Sequence, residues 1–357
     1  MSDQPRILIV GQGIAGTVLH YTLFQRNINA DVIGARLQGN ASSAAAGIIN
    51  PVTGPKYQLS WKFEELMEVF IPFYTSLEET LDQKFFHKMH MFRFLPGLEQ
   101  INKWIKRWDD TYDAKFYGEF HKGMEGYPDY QGNGTWAEIY NAYRVDINLL
   151  INSYSEFLKE KQLLDDNLFN YNALKFQEHE LIYNDKPYDH LIFCEGHQVK
   201  NNPYFNYLPV IPAKGEVLII NRKLPPDMMC KRNELITHWD EASVWYGATL
   251  QNEFTNHLPN ESSKNILIEK YLNDFNQAPD VAGHLSGIRP TVKDRKPLIG
   301  KHPDFSKLAI FNGLGTKGTS LAPLMARYLV DLLVDVIEIP GEVNAKRYDN
   351  LRLIYNK

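Results

Sequence analysis

The sequence predicts an α/β chain with a β-rich, α+β portion interleaved into it. Three observations carry this expectation. Near the N-terminus an apolar, β-branched run opens into a glycine turn and then a stripe of helix-spaced apolar residues. Near the C-terminus a strand, a glycine loop and a helix recur in the same order. Between them lie strand-like runs separated by polar, proline-containing stretches. At ~100–200 residues per domain, a chain of 357 residues holds about two domains. The first is read as the discontinuous set 1–85, 140–210 and 285–357, and the second as 86–139 and 211–284.

In the N-terminal unit, Ile7-Leu8-Ile9-Val10 has the continuous apolar character of a parallel strand buried on both faces. It runs into Gly11-Gln12-Gly13-Ile14-Ala15-Gly16, a complete GxGxxG, and Ala15, Val18, Leu19 and Leu23 then fall on one helical stripe. A second strand is expected at residues 30–33. A GxGxxG between a strand and a helix is a dinucleotide signature: its glycines allow the tight turn, the approach of backbone to pyrophosphate and the close packing of helix on strand. The helix N-terminus supplies free N–H groups for phosphate. The carboxylate that should end the second strand and hold a ribose hydroxyl is missing, because Val32-Ile33 leads to Gly34-Ala35-Arg36. Arg36 suits stacking on adenine or contact with a phosphate, and equally a solvated loop.

The run Asn40 to Ile49 is rich in small residues, with Ser42, Ser43 and Gly47. Small side chains let backbone approach a flat ligand; a tightly packed helix start capped by serine is the alternative. Phe63, Leu66, Met67, Phe70, Tyr74 and Leu77 have helical spacing, with Pro72 expected to kink or end that helix. An aromatic-rich, irregular segment follows up to Trp136, its residues 126–134 reading as loops over a pocket. Asp146 reads as the N-cap of a helix carrying Leu150, Tyr154, Phe157 and Leu158. Two short strands, then the buried strand Leu191-Ile192-Phe193-Cys194, are expected next. Cys194 reads as a core residue, and His197 as either a ligand-facing or a structural histidine.

In the β-rich portion, residues 215–220 and 243–249 are strand-like, with a polar stretch between them and a helix around Ile268, Tyr271, Leu272 and Phe275 after them. The chain then returns to its opening style. Leu308 to Asn312 is a strand, Gly313-Leu314-Gly315-Thr316-Lys317-Gly318-Thr319 a second glycine loop, and Leu321, Leu324, Met325, Tyr328, Leu329 and Leu332 mark a helix. A second helix N-terminus opening from glycine favours negative charge, as the anionic pyrimidine end of a reduced flavin requires. A glycine hinge before a C-terminal helix is the alternative.

Composition limits the function classes. Apolar content of 44% and charged content of 23% are ordinary for a globular protein. A net charge of −5 argues against broad nucleic-acid binding. Two cysteines, Cys194 and Cys230, make neither a disulfide framework nor a four-thiolate metal site. No signal-peptide core and no membrane span of ~18 apolar residues is present, which points to a cytoplasmic protein.

These pieces resemble the FAD-dependent D-amino acid oxidase superfamily, whose closer members include glycine oxidase and sarcosine oxidase. The likeness rests on the GxGxxG, on Ala41-Ser42 to Ala46-Gly47, on Pro212-Ala213-Lys214-Gly215-Glu216-Val217, and on Gly247-Ala248-Thr249. It rests most on Gly287-Ile288-Arg289-Pro290-Thr291 with Asp294, Pro297, Ile299 and Gly300, followed by the Gly313 loop and Leu321-Ala322-Pro323. The resemblance implies a Rossmann-like FAD-binding domain (the first set of segments) and an interleaved substrate-binding domain. It implies FAD held without a covalent link, with Gly11, Gly13, Ile14, Ala15 and Gly16 at the pyrophosphate. Ser42, Ser43 and the backbone of Ala45, Ala46 and Gly47 would run past phosphate and flavin. Leu174 would contact adenine through its backbone, Gly196 would lie near the cofactor, and Gly313, Gly315, Thr316, Lys317, Gly318 and Thr319 would face the flavin pyrimidine. Arg289 matches the arginine that grips the substrate carboxylate, a role suited to its planar fork of donors; pairing with an internal Asp or Glu is the alternative.

The resemblance further implies an amine or amino-acid oxidoreductase that oxidises a C–N bond of a small amino acid or N-substituted glycine by hydride transfer to flavin N5. The active-site tyrosine of some oxidases has no counterpart among Leu235, Ile236, Thr237 and His238. Residues 50–57 follow the flavin-contacting stretch, so Lys56 or Tyr57 lies near the pocket or in a solvated loop. Two rival readings stand beside this one. A tRNA wobble-uridine demodifying flavoenzyme has a similar Gly-Leu-Gly-x-(Lys/Arg)-Gly loop. A non-catalytic flavin-binding subunit of a larger complex would fit the lost ribose carboxylate.

Overall fold

A computed structural model describes residues 4–109, 114–123, 130 and 134–355. Most of the loop expected at residues 126–134 lies outside the described residues. Two large sheets organise the chain. The first has six strands in the order Leu298–Lys301, Leu308–Asn312, His190–Phe193, Ile7–Val10, Ala30–Ile33 and Leu164–Asp165. All neighbours are parallel except Leu298–Lys301, which runs antiparallel to Leu308–Asn312. Ile7 to Val10 are all buried, as a strand covered on both faces must be. The helices Ile14–Gln25 and Gly318–Val334 pack against each other and bury Val18, Leu19, Leu23, Leu321, Met325 and Leu329 in one core.

The second sheet has nine strands. Its path is Val281–Val292, Val210–Asn221, Ser243–Gly247, Leu235–His238, Met228–Lys231, Phe86–Leu95, Thr135–Val145 and Ile48–Ile49, with Tyr117–Lys122 also paired to Thr135–Val145. One face carries Leu218, Ile220, Cys230, Ile236, Val244 and Tyr246 and packs on Leu267, Tyr271 and Phe275 of the helix Glu261–Phe275. The opposite face carries Val217, Met229, Leu235, Trp245, Met91 and Ala137 and joins the core of the first sheet. The trial division points 140 and 285 fall inside the strands Thr135–Val145 and Val281–Val292.

Two expectations are corrected and a third is narrowed. Of the two outcomes expected at Pro72, a kink or an end to the helix, the end does not occur: the helix continues as Phe63–Leu81. The buried stripe of Leu66, Phe70, Phe73, Tyr74 and Leu77 outweighs the one backbone N–H that proline lacks. The described residues of the segment 86–136 are not irregular: they include Phe86–Leu95, the helix Leu98–Trp108 and Tyr117–Lys122, with Trp104, Phe116 and Tyr117 buried. The polar stretch between the strands at 215–220 and 243–249 holds a hairpin, Met228–Lys231 against Leu235–His238. Asp146 caps its helix as expected, its Oδ1 accepting from the Leu149 N–H at 3.0 Å. Cys194 and Cys230 are buried free thiols, pushed up by burial. Among the described residues no helix is long and apolar enough to cross a membrane.

Candidate active site

The glycine turn at the end of Ile7–Val10 is dictated by crowding. Gly11 has φ +106°, and a Cβ there would stand 2.5 Å from the Cys194 carbonyl oxygen. A Cβ on Gly16 would collide with the Gly11 carbonyl, so the helix can start this close to the strand only with glycine at that position. Gly13 is the N-cap of Ile14–Gln25 and supplies no side-chain cap, and the first turn contains no acidic residue. Ser42 Oγ accepts from the Ile14 N–H at 3.3 Å. Ser42 sits on the short turn Ala41–Ala44, which is capped by Asn40, not by a serine: Asn40 Oδ1 accepts from the Ser43 N–H at 3.0 Å.

The second glycine loop comes to the same place. A Cβ on Gly318 would lie 3.2 Å from Ile14 Cγ2, so the starts of the two helices abut. The helix Gly318–Val334 likewise has no side-chain cap and no acid in its first turn. Between the two loops is a cavity of about 340 Å³. Its walls include Gly11, Gly13, Ile14, Ala15, Ser42, Ser43, Gly196, Gly315 and Gly318.

Other expected contacts lie elsewhere. Gly16 is behind the turn, and Leu174 is buried among Leu8, Val10 and Tyr183. Ala45, Ala46 and Gly47 run along the large sheet, where Ala46 O accepts from Arg144 Nε at 3.1 Å and Gly47 O accepts from the Val145 N–H at 2.9 Å. Gly313 packs on Val292 and Leu298, and Thr316 is exposed. Lys317 Nζ donates to Ser60 Oγ at 3.2 Å, its charge disfavoured by burial and by Arg295 and Lys296. Thr319 is buried, its carbonyl accepting from Tyr74 Oη at 2.7 Å.

At one end of the cavity, Gly34 stands where a carboxylate was expected. A Cβ there would be 2.9 Å from the Gln12 nitrogen, so this backbone crossing excludes a side chain unless the glycine turn moves. Arg36 is exposed yet stands on the cavity wall, where it donates to Asn152 Oδ1, and to Ser155 Oγ at 3.1 Å. The sequence reading missed Glu195, which lines the cavity just beyond the strand His190–Phe193. Burial raises its carboxyl above the ordinary range, opposed by hydrogen bonds donated by Tyr171 Oη and by Asn202 Nδ2, the latter at 2.7 Å. Its signal was position, since ligands gather at the carboxyl ends of parallel strands. His197 also lines the cavity; burial lowers its pKa, and His257 adds to that.

Arg289 lies on Val281–Val292, between Ile288 and Pro290, which both line the cavity. Its guanidinium covers Gly215, where a Cβ would collide with it, and Nη1 donates to Thr249 O at 3.4 Å. Among the described residues no carboxylate pairs with it, so the internal ion pair is not what holds it. Burial lowers its pKa and Glu234 opposes that shift.

The site fits FAD on these observations. Two open helix starts converge on one cavity, backbone lines its phosphate end, and glycine leaves space where a Cβ would stand. A family model described as FAD dependent oxidoreductase (DAO) matches residues 6–332. The chain is 21% identical over 356 residues to a glycine oxidase from Bacillus subtilis (strain 168), covering 92% of each chain. It is 28% identical over 131 residues to a glycine oxidase from Pseudomonas aeruginosa, a match spanning only 35% of this chain and 36% of that relative. The crystal structure of an iminodiacetate oxidase from Chelativorans sp. BNC1 superposes with a TM-score of 0.75 at 20% identity, covering 96% of this chain and 98% of that one.

Proposed function

We propose, from the premise that this chain belongs to the DAO family of FAD-dependent oxidoreductases, that it oxidises the C–N bond of a small amino acid or N-substituted glycine. The observation that carries this reading is Arg289: a largely buried guanidinium with no carboxylate partner among the described residues, on the strand that borders the cofactor cavity. A planar fork of donors in such a place suits a substrate carboxylate. Bound FAD supplies the two-electron acceptor for a hydride leaving the carbon next to nitrogen.

The protein's part is binding and orientation. The first-turn N–H groups after Gly13 meet the pyrophosphate, and the opening of Gly318–Val334 faces the pyrimidine end. Arg36, Asn148, Glu195 and Asn201 are the polar wall groups available where Gly34 offers no carboxylate. Arg289 fixes the substrate carboxylate and thereby the direction of its carbon–hydrogen bond. The amine must be neutral for hydride loss, which needs no dedicated protein base. In domain terms, the six-stranded sheet with its helices serves the cofactor and the nine-stranded sheet serves the substrate.

The test is anaerobic mixing of the FAD-loaded protein with a panel of D- and N-methyl amino acids. Bleaching of the yellow flavin by at least one member is expected. A flavin that stays oxidised with every member overturns the reading.

A further inference from the structure

The face of the nine-stranded sheet that packs towards the cofactor side carries more positive charge than Arg289 alone. One register row can be followed across it: Leu285 pairs with Val217, Val217 with Gly247, Gly247 with Leu235, Leu235 with Lys231, and Lys231 with Arg93. Paired residues point to the same side, and so do residues two and four apart along a strand. Arg289 therefore shares this face, as does Trp245, whose Nε1 donates to Ala44 O at 2.9 Å in the turn beside Ser42. The row is a small, apolar floor flanked by cations. The Arg289 guanidinium folds back over Gly215 on one side, and Lys231 and Arg93 stand together on the other. From the Gly215 strand to the Lys231 strand is three strand spacings, roughly 14 Å of backbone, and Arg93 lies one strand further, at roughly 19 Å. Long side chains shorten that distance at their tips.

We propose that the substrate carries a second carboxylate, bound by Arg93 with Lys231 beside it, so that this enzyme oxidises an amino dicarboxylate or an N-carboxyalkyl amino acid. The proposal rests on the reading that Arg289 binds the first carboxylate.

Charge balance is the main support. Glu234 is shared by Lys231, at 3.5 Å, and by Lys270, and it also opposes the loss of charge on Arg289. Arg93 has no carboxylate partner among the described residues; its side-chain hydrogen bond is with Tyr57. A guanidinium withdrawn from water without a counter-charge is costly, and an anionic ligand lowers that cost. Burial lowers the pKa of both Arg93 and Lys231. Arg93 is also held in place before any ligand arrives. Its guanidinium lies 5.8 Å from the centroid of the Tyr57 ring. Tyr57 is itself buried, edge-on to Trp104 at 5.5 Å, with its carbonyl accepting from Tyr117 Oη at 2.5 Å. The segment 50–57 thus contributes a support for a cation through Tyr57, while Lys56 is exposed.

The experiment measures anaerobic flavin reduction by the FAD-loaded enzyme with pairs matched at the amine: D-alanine against D-aspartate and D-glutamate, and sarcosine against iminodiacetate. The dicarboxylate of each pair is expected to be favoured about 10- to 100-fold in kcat/KM, the range of one hydrogen-bonded charge contact. Arg93→Met should bring that ratio towards unity by raising KM for the dicarboxylate more than it lowers kcat. Arg93→Lys should retain part of the ratio, and Lys231→Met should reduce it less. Bleaching with no dicarboxylate preference overturns this proposal and leaves the amine-oxidation reading standing. A preference that neither Arg93→Met nor Lys231→Met diminishes overturns the assignment to these residues. No bleaching with any member overturns both readings. If Arg93→Met does not fold, the wild-type ratio and Lys231→Met decide.

Discussion

On the function proposed above, the two sheets recognise by different means. The six-stranded sheet presents backbone to its cavity, through Gly11, Gly13, Gly315 and Gly318 at helix starts. The nine-stranded sheet presents side chains, with Arg289, Lys231 and Arg93 standing on an apolar floor. Backbone recognition depends on the absence of Cβ atoms, so one added carbon damages it. Side-chain recognition depends on a few charged heads, so it is lost one group at a time. The contrast implies that cofactor binding and substrate binding can be broken separately.

The largest expected effect is Gly16→Val. Its side chain would strike the Gly11 carbonyl and push helix from strand, an overpacking cost of up to about 3 kcal/mol. FAD binding should weaken by about 100-fold, read as lost 450 nm absorbance relative to 280 nm after gel filtration. Retention of full yellow colour would break the contrast from the cofactor side. Next is Arg289→Met, which should cost about 1,000-fold in kcat/KM, on the scale of truncating one member of a desolvated charge pair. Its visible spectrum should be that of wild type. Loss of flavin in this variant would show the two functions to be inseparable.

Gly215→Ala is a finer test. The new methyl group would occupy the place of the Arg289 guanidinium, and a KM rise of about 10-fold with intact flavin is expected. The smallest effect is Glu195→Gln. Burial raises the folded-state pKa of Glu195, so its contribution to stability is fully present below the ordinary carboxylate value and is lost as pH rises through the raised one. The variant should have a flatter dependence of Tm on pH across that window. Near neutrality its Tm should exceed that of wild type by roughly 2 °C, measured by differential scanning fluorimetry.

The same contrast explains what the sequence made legible. Gly11, Gly13 and Gly16 lie within six residues, and their meaning is local: strand, turn, helix. Asp146 is legible for the same reason, since a cap and its helix are neighbours in the chain. Arg289 was legible through the residues around it. Arg93 and Lys231 were not, because neither has a local pattern and their adjacency exists only once two distant strands pair. Those strands were themselves missed where Met, Lys, Arg and His interrupt the apolar alternation, as in Phe86–Leu95 and Met228–Lys231. Glu195 follows a strand that was legible, but its place on the cavity wall is a tertiary fact.

The contact between Gly318 and Ile14 sets an order of events in biosynthesis. The ring of groups around the coenzyme stays open until two segments far apart in the chain have emerged and met. An emerging chain lacking the helix Gly318–Val334 has only half of that ring, however well its first strand and turn have formed. Loading with FAD therefore waits for the helix Gly318–Val334, and shortage of the vitamin precursor would act on chains that already carry both glycine loops.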